Sequence, residues 1–379
     1  MAVLRYWVAA FLALTVALTF VAYHPSMLMR QTLTTTYRSV VTRASSGKAV
    51  QAPVKMSTPA TAAQVKDRAK AAVLGGLAAD AASMGLHWIY KPEVMAAALD
   101  KVPGSADAPE FYSPPACPFY SVPAGDYSPY GYEGHALLKY IAGLDSSTLD
   151  GDACAKSLAE SYAATRGYLN HSSKHVMEAV AAGTKYPGTG HPTDAQANAF
   201  VKAPMVVALL AGRPTLMAQM ETAVRVQQNN EAALAAGLAG AALLEKVVLG
   251  HSVAEAVAWA MSADSGMSEA MKKQLEAALE LKGLPFSEAV AKLGSSCSLP
   301  MSLQNSVLAG VKFSSYVEGV RANILAGGDN ASRAVLLGAL LAAQEGMAAI
   351  PAKWRTSTTG FAEAEALVDK ILAARDAAL

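Results

Sequence analysis

From residue 67 to the C-terminus the chain carries helix punctuation repeatedly and strand-like alternation almost nowhere. Ser252-Val-Ala-Glu255 is a capping-box pattern, a hydroxyl for the N3 amide and a carboxylate reaching back to the cap, and it leads into an Ala-rich apolar stretch through Met261. Ser315-Tyr-Val-Glu318 repeats the pattern before Val320, Ile324 and Leu325. Residues 267–282 space Met271, Leu275, Ala278 and Leu279 as one helical face, with Gly283 as a natural stop. Residues 332–345, ended by Gly346 and Ile350-Pro351, and residues 361–378 read the same way. A run of small residues from Ala235 to Ala242 lets helices approach closely. The expected fold class is therefore all-α, a compact multi-helix body without internal repeats. The one long irregular stretch is the Pro-rich interval 103–129, and loops of that length in compact domains are usually functional or disordered.

Charge divides the chain more sharply than hydropathy does. The formal net charge is +1, yet residues 1–66 hold seven basic side chains and no Asp or Glu. The remaining 24 basic and 30 acidic groups leave residues 67–379 at −6. This predicts a non-globular leader over 1–66 and a helical domain over 67–379. A mildly acidic body does not suit a nucleic-acid binder that works by counterion release. Three cysteines (Cys117, Cys154, Cys297) make neither a disulfide framework nor a zinc-ribbon spacing.

The leader begins with an apolar run from Trp7 to Ala22, roughly 24 Å as a helix and short of the ~30 Å hydrocarbon core. A signal-type segment fits that length better than a permanent span. Residues 24–66 are rich in Ser, Thr, Ala and Arg, like an organelle transit peptide. The pair predicts a plastid destination through a bipartite presequence, with the secretory pathway or a membrane anchor as the alternative. Any membrane contact is expected only through an uncleaved leader. The sequons Asn170-His171-Ser172 and Asn330-Ala331-Ser332 bear on the secretory route.

No P-loop, no Gly-x-Gly-x-x-Gly fingerprint and no Gly-x-Ser-x-Gly elbow is present. His171 and His175 share a helical face but lack the Glu of a metalloprotease motif. The informative segment is Gly327-Gly-Asp-Asn-Ala-Ser332 between two expected helices. Gly327 and Gly328 permit a tight path, and Asp329 or Asn330 caps the helix starting near Ser332. The functional reading of the same residues is a helix N-terminus open to an anionic ligand, with Asp329 holding a hard cation.

Three segments resemble the ADP-ribosylglycohydrolase family in order and spacing: Leu77-Ala-Ala-Asp80-Ala-Ala-Ser-Met-Gly85, Ala197-Asn198-Ala-Phe-Val-Lys202-Ala-Pro204, and Gly327-Gly-Asp-Asn-Ala-Ser332 followed by Gly338-Ala339, Gly346, Ile350-Pro351 and Trp354. The departures resemble the selenoprotein J and jellyfish J-type crystallin branch. The resemblance implies an all-α fold and hydrolysis of the glycosidic bond of an ADP-ribosylated substrate, with two magnesium ions in most members. Here it implies at most one Mg²⁺, held by Asp329 and Glu133 as the catalytic and metal residues. His87, Asn198, Asn330 and Ser332 would then contact ADP-ribose or a related nucleotide-sugar ligand. His87 is a candidate acid or base for metal-free chemistry, and Cys117 is the most loop-like thiol. The alternative is a non-catalytic, crystallin-like structural or ligand-binding protein.

Overall fold

The computed structural model describes residues 57–165 and 167–377; the apolar run at 7–22 and the rest of residues 1–56 lie outside them. Sixteen α-helices account for the described residues, which contain only three isolated β-bridges and no sheet. In chain order they are α1 (Ala62–Met84), α2 (Pro92–Leu99), α3 (Pro129–Ala142), α4 (Gly151–Ala164), α5 (His171–Ala181), α6 (Ala203–Leu210), α7 (Leu216–Arg225) and α8 (Glu231–Val248). They continue as α9 (Val253–Met261), α10 (Glu269–Leu279), α11 (Phe286–Leu293), α12 (Met301–Lys312), α13 (Tyr316–Leu325), α14 (Asn330–Glu345), α15 (Ala352–Ser357) and α16 (Phe361–Ala377). No helix among the described residues is long and apolar enough to cross a membrane.

The punctuation read from sequence operates locally. Ser252 and Glu255 close a full capping box at α9. Ser315 caps α13 through the Glu318 amide without the reciprocal carboxylate bond of a full box, and Glu345 accepts from the Tyr316 amide at 2.6 Å. Residues 62–66, placed by charge with the leader, form the first turn of α1 behind a second capping box, Thr61 with Gln64. Helix α10 ends at Leu279, before Gly283, and the chain continues through tighter turns in which Leu281, Lys282 and Leu284 donate to the carbonyls three residues back.

Two helices are buried nearly all round. From Ala71 to Met84 every residue of α1 is buried, as is every residue of α14 from Asn330 to Ala343. A helix with no solvated face has no need of an amphipathic pattern, which explains their Ala, Gly and Leu content. They cross antiparallel and in backbone contact. A Cβ on Gly75 would lie 2.3 Å from the Ala342 Cβ, and one on Gly338 would lie 2.5 Å from the Ala79 Cβ and 2.7 Å from the Gly75 carbonyl oxygen. Helices α3, α6 and α16 pack on α1, and α8, α12 and α13 pack on α14.

The Pro-rich interval follows the end of α1. The Phe111 amide donates to the Ala82 carbonyl at 2.9 Å and the Ala116 amide to the Gly85 carbonyl at 2.7 Å, serving the carbonyls a helix C-terminus leaves open. Gly327 (φ 70°) and Gly328 (φ 64°) carry the left-handed turn before α14, where the Gly328 amide donates to the Ile89 carbonyl and the Trp88 amide to the Gly328 carbonyl. The end of α1 and the start of α14 are thereby laced together.

Gly338→Val inserts a branched side chain into that crossing, where neither Ala79 nor the Gly75 backbone can retreat. The unfolding free energy in urea is expected to fall by about 3 kcal/mol or more, whereas Gly283→Ala, which meets nothing within 4 Å, should leave it nearly unchanged.

Candidate functional site

Asp329 is the N-cap of α14, and its carboxylate is fully buried. Its Oδ1 accepts from His87 Nε2 at 2.8 Å and from the Ser332 amide at 3.2 Å; its Oδ2 accepts from Trp88 Nε1 at 2.8 Å and from the Tyr130 hydroxyl at 3.0 Å. Two donors per oxygen use the acceptor capacity of a carboxylate. His87 is oriented from its other side, since Nδ1 lies 2.9 Å from the Tyr120 hydroxyl, so the tautomer with hydrogen on Nε2 satisfies both contacts. Burial alone would raise the Asp329 pKa, but His87, Trp88 and the Arg333 charge together hold it down at about 2.

Aromatic rings roof this carboxylate. The His87 and Trp88 rings stack at 4.4 Å, and Phe119, Tyr120 and Tyr168 meet Trp88 edge-on at 5.0–5.5 Å. Trp88 itself sits at φ 62°, a costly conformation for a bulky residue, held by its bonds to Gly328 and Asp329. Phe119 and Tyr120 come from the Pro-rich interval, which is therefore an ordered cover. Arg333, also fully buried, has its guanidinium bonded to Asn323 and to the carbonyls of Gly327 and Ser295, fixing the glycine turn beneath.

Glu133, the expected partner of Asp329, occupies a different cluster. Its Oε1 accepts from Asn170 Nδ2 (2.5 Å), Ser173 Oγ (2.7 Å) and Asn198 Nδ2 (2.9 Å), and its Oε2 from Asn198 Nδ2 (2.8 Å). Below it the buried Lys202 ammonium donates to the Asn198 carbonyl and to Gln227 Oε1, and Gln227 binds Ser172 and Ser173. Burial lowers the Lys202 pKa, and the Glu133 charge offsets part of that. The donors of Asp329 and those of Glu133 have no member in common. The residue of α3 that reaches Asp329 is Tyr130, one helical turn before Glu133.

Magnesium takes near-octahedral oxygen ligands. Asp329 has its oxygens saturated by N–H and O–H groups, and Glu133 is wrapped by amides and a hydroxyl. No group of three His, Cys, Asp or Glu among the described residues is placed to hold a metal ion. The residues present do not fit a magnesium centre.

Of the expected ligand contacts, His87 and Ser332 join Asp329 directly, while Asn198 joins Glu133. Asn330 is buried, with its Nδ2 donating to the Leu86 carbonyl at 3.0 Å. The α14 N-terminus is capped by Asp329 itself, which takes the place a bound anion would have. Asn170 and Asn330 are both engaged through Nδ2, so neither sequon is available in the folded protein. Cys117 is half-buried and burial raises its pKa, the opposite of an activated thiol. His171 and His175 pack against His191 instead of any carboxylate, at 4.4 and 4.8 Å between rings.

Sequence reasoning missed Tyr130, Tyr120 and the role of Asp80. Asp80 lies fully buried on α1 and accepts from the Ser128 amide at 2.8 Å and the Ser128 hydroxyl at 2.5 Å. A Cβ on residue 131 would come within 2.1 Å of its Oδ2, so that position stays glycine. Burial, despite the Ser128 and Gly131 hydrogen bonds and with the Asp329 charge adding to it, pushes the Asp80 pKa up to about 7.

A family model described as ADP-ribosylglycohydrolase matches residues 61–378. Crystallin J1A of Tripedalia cystophora is 28% identical over 315 residues, covering 78% of this chain and 93% of that protein. Crystallin J1B of the same animal is 28% identical over 314 residues with the same coverage. A solved structure titled ADP-ribosylglycohydrolase-related protein complex superposes with a TM-score of 0.66 at 19% identity, covering 83% of this chain and 99% of that one. That last likeness speaks for the fold alone.

The two buried aspartates act on stability in opposite directions. The raised Asp80 pKa gives stability that is full below the ordinary carboxylate value and lost as pH rises through about 7; the lowered Asp329 pKa gives stability lost as pH falls through about 2. Denaturant titrations are expected to show unfolding free energy declining between about pH 4 and pH 7, by up to about 1.4 kcal/mol per pH unit. Asp80→Asn should flatten that decline while leaving the acid limb below pH 4 in place.

Proposed function

Because the chain belongs to the ADP-ribosylglycohydrolase family, we propose that it is a non-hydrolytic member, a J-crystallin-like structural protein of that fold. The observation that carries this reading is the Asp329 carboxylate, saturated by His87, Trp88, Tyr130 and Ser332 and roofed by aromatic rings. A metal-dependent hydrolase of this family needs carboxylate oxygens free to bind an ion that polarises the substrate and positions water. In this chain the negative charge is compensated by hydrogen bonds within the fold. The similarity to Crystallin J1A and Crystallin J1B across most of the body agrees with a structural role.

The competing reading is hydrolysis of an ADP-ribosyl glycosidic bond with a single Mg²⁺ on Asp329 and Glu133. It requires the two carboxylates to shed seven protein donor groups, and nothing in their surroundings favours that.

Family membership makes ADP-ribose-related compounds the ligand class to test. Incubation with peptides ADP-ribosylated on Arg or Ser is expected to release no ADP-ribose, with or without Mg²⁺. Calorimetry should show no Mg²⁺-dependent binding of ADP-ribose. Asp329→Asn should cost about 2–3 kcal/mol of stability, because four buried donors lose a charged acceptor. Mg²⁺-dependent release of ADP-ribose that vanishes in the folded Asp329→Asn variant would overturn the proposal.

A further inference from the structure

The large apolar side chains left exposed are not scattered. Tyr90 (47% exposed), Val94 (49%), Phe119 (63%), Tyr168 (39%) and Leu325 (37%) are those among the described residues, and four of them either rest on Trp88 or line the groove that starts at Ile89 and Tyr90. Phe119 and Tyr168 rest on Trp88. Two residues on, Tyr90 opens a groove of about 470 Å³ whose walls are α2, with Met95 and Leu99, and α11, with Val290 and Ala291; Leu325 also lines it. A contiguous apolar surface of this kind on a soluble fold marks a contact with another macromolecule.

The charges at the groove identify the occupant. Lys91 stands exposed at the start of the α2 wall and Glu288 exposed on the α11 wall, and neither forms an ion pair among the described residues. An apolar strip with one cation on one side and one anion on the other is complementary to itself under two-fold rotation. A second copy turned through 180° sets its Glu288 against the first copy's Lys91 and its Lys91 against the first copy's Glu288, the reciprocity an isologous interface requires. We propose that this face pairs with the same face of a second copy of this chain, with Tyr90 and Leu325 packed at its centre and the two Lys91–Glu288 contacts at its rim.

Sedimentation equilibrium of the full chain tests this, with variants confined to exposed or half-exposed groove residues. The wild-type chain is expected to dimerise, and Leu325→Glu should raise the dimer dissociation constant at least about tenfold. Lys91→Glu and Glu288→Lys should each weaken the dimer by placing like charges together. Combining them restores opposite charges across the interface and should return the constant to within about threefold of wild type. A wild-type chain that stays monomeric at about 100 μM, a dimer indifferent to Leu325→Glu, or a double variant no tighter than the two singles would each overturn the proposal. Self-association through the apolar leader would be indifferent to all four variants and is thereby told apart.

Discussion

The fold depends on two helices touching backbone to backbone. Gly75, Gly76 and Ala79 on α1 face Val335, Gly338 and Ala342 on α14, with no side chain larger than a methyl group between Gly75 and Gly338. Interior packing density leaves little tolerance at such a crossing. Because the helices run antiparallel, the chain leaving α1 at His87 and Trp88 is delivered to the residue that opens α14, Asp329. Helix α3 packs against the same part of α1 and brings Ser128 to Asp80 and Tyr130 to Asp329. The four groups that donate to Asp329 are therefore positioned by one helix crossing and the helix beside it.

That arrangement creates an electrostatic problem, since it buries Asp329 and Asp80 within range of one another. A buried carboxylate needs compensating charge or several donors. Asp329 obtains an imidazole, an indole, a phenol and its own helix amide, and stays ionised with its pKa held low. Asp80 obtains one residue's amide and hydroxyl plus a glycine amide, and burial prevails. The difference lies in the number and kind of donors, because both groups are equally removed from water. In a metal-bearing site of similar shape an ion would supply that compensation. Here Trp88 and Tyr130 supply it, together with His87 and the Ser332 amide.

The helices and their caps were legible because they depend on neighbours three and four residues apart. Ser252 with Glu255, and Asp329 before Ser332, behave as local spacing dictates. The pairing of Asp329 with Glu133 was not legible for a related reason. Tyr130 and Glu133 lie one turn apart on α3, so both point broadly the same way, and spacing alone cannot tell which lies level with a residue 199 positions later. The Pro-rich interval was equally opaque. Its order comes from the open carbonyls at the end of α1 and from ring contacts with Trp88, both non-local, whereas its Pro and Ser content announces only a loop. Gly283 misled because a favourable stop signal does not oblige a helix to reach it.

Trp88 joins the interior chemistry to the outer surface. Its left-handed backbone directs the indole N–H inward to Asp329 and lays one ring face on His87. The rest of the ring then supports Phe119 and Tyr168, which remain exposed because no further apolar side chain covers them. Closing the carboxylate and exposing an aromatic surface are two consequences of one side-chain placement. A residue small enough to leave Asp329 open would also remove the base on which Phe119 and Tyr168 rest. Closure of the Asp329 carboxylate and support of the exposed Phe119 and Tyr168 rings are thus physically coupled through one indole in this fold.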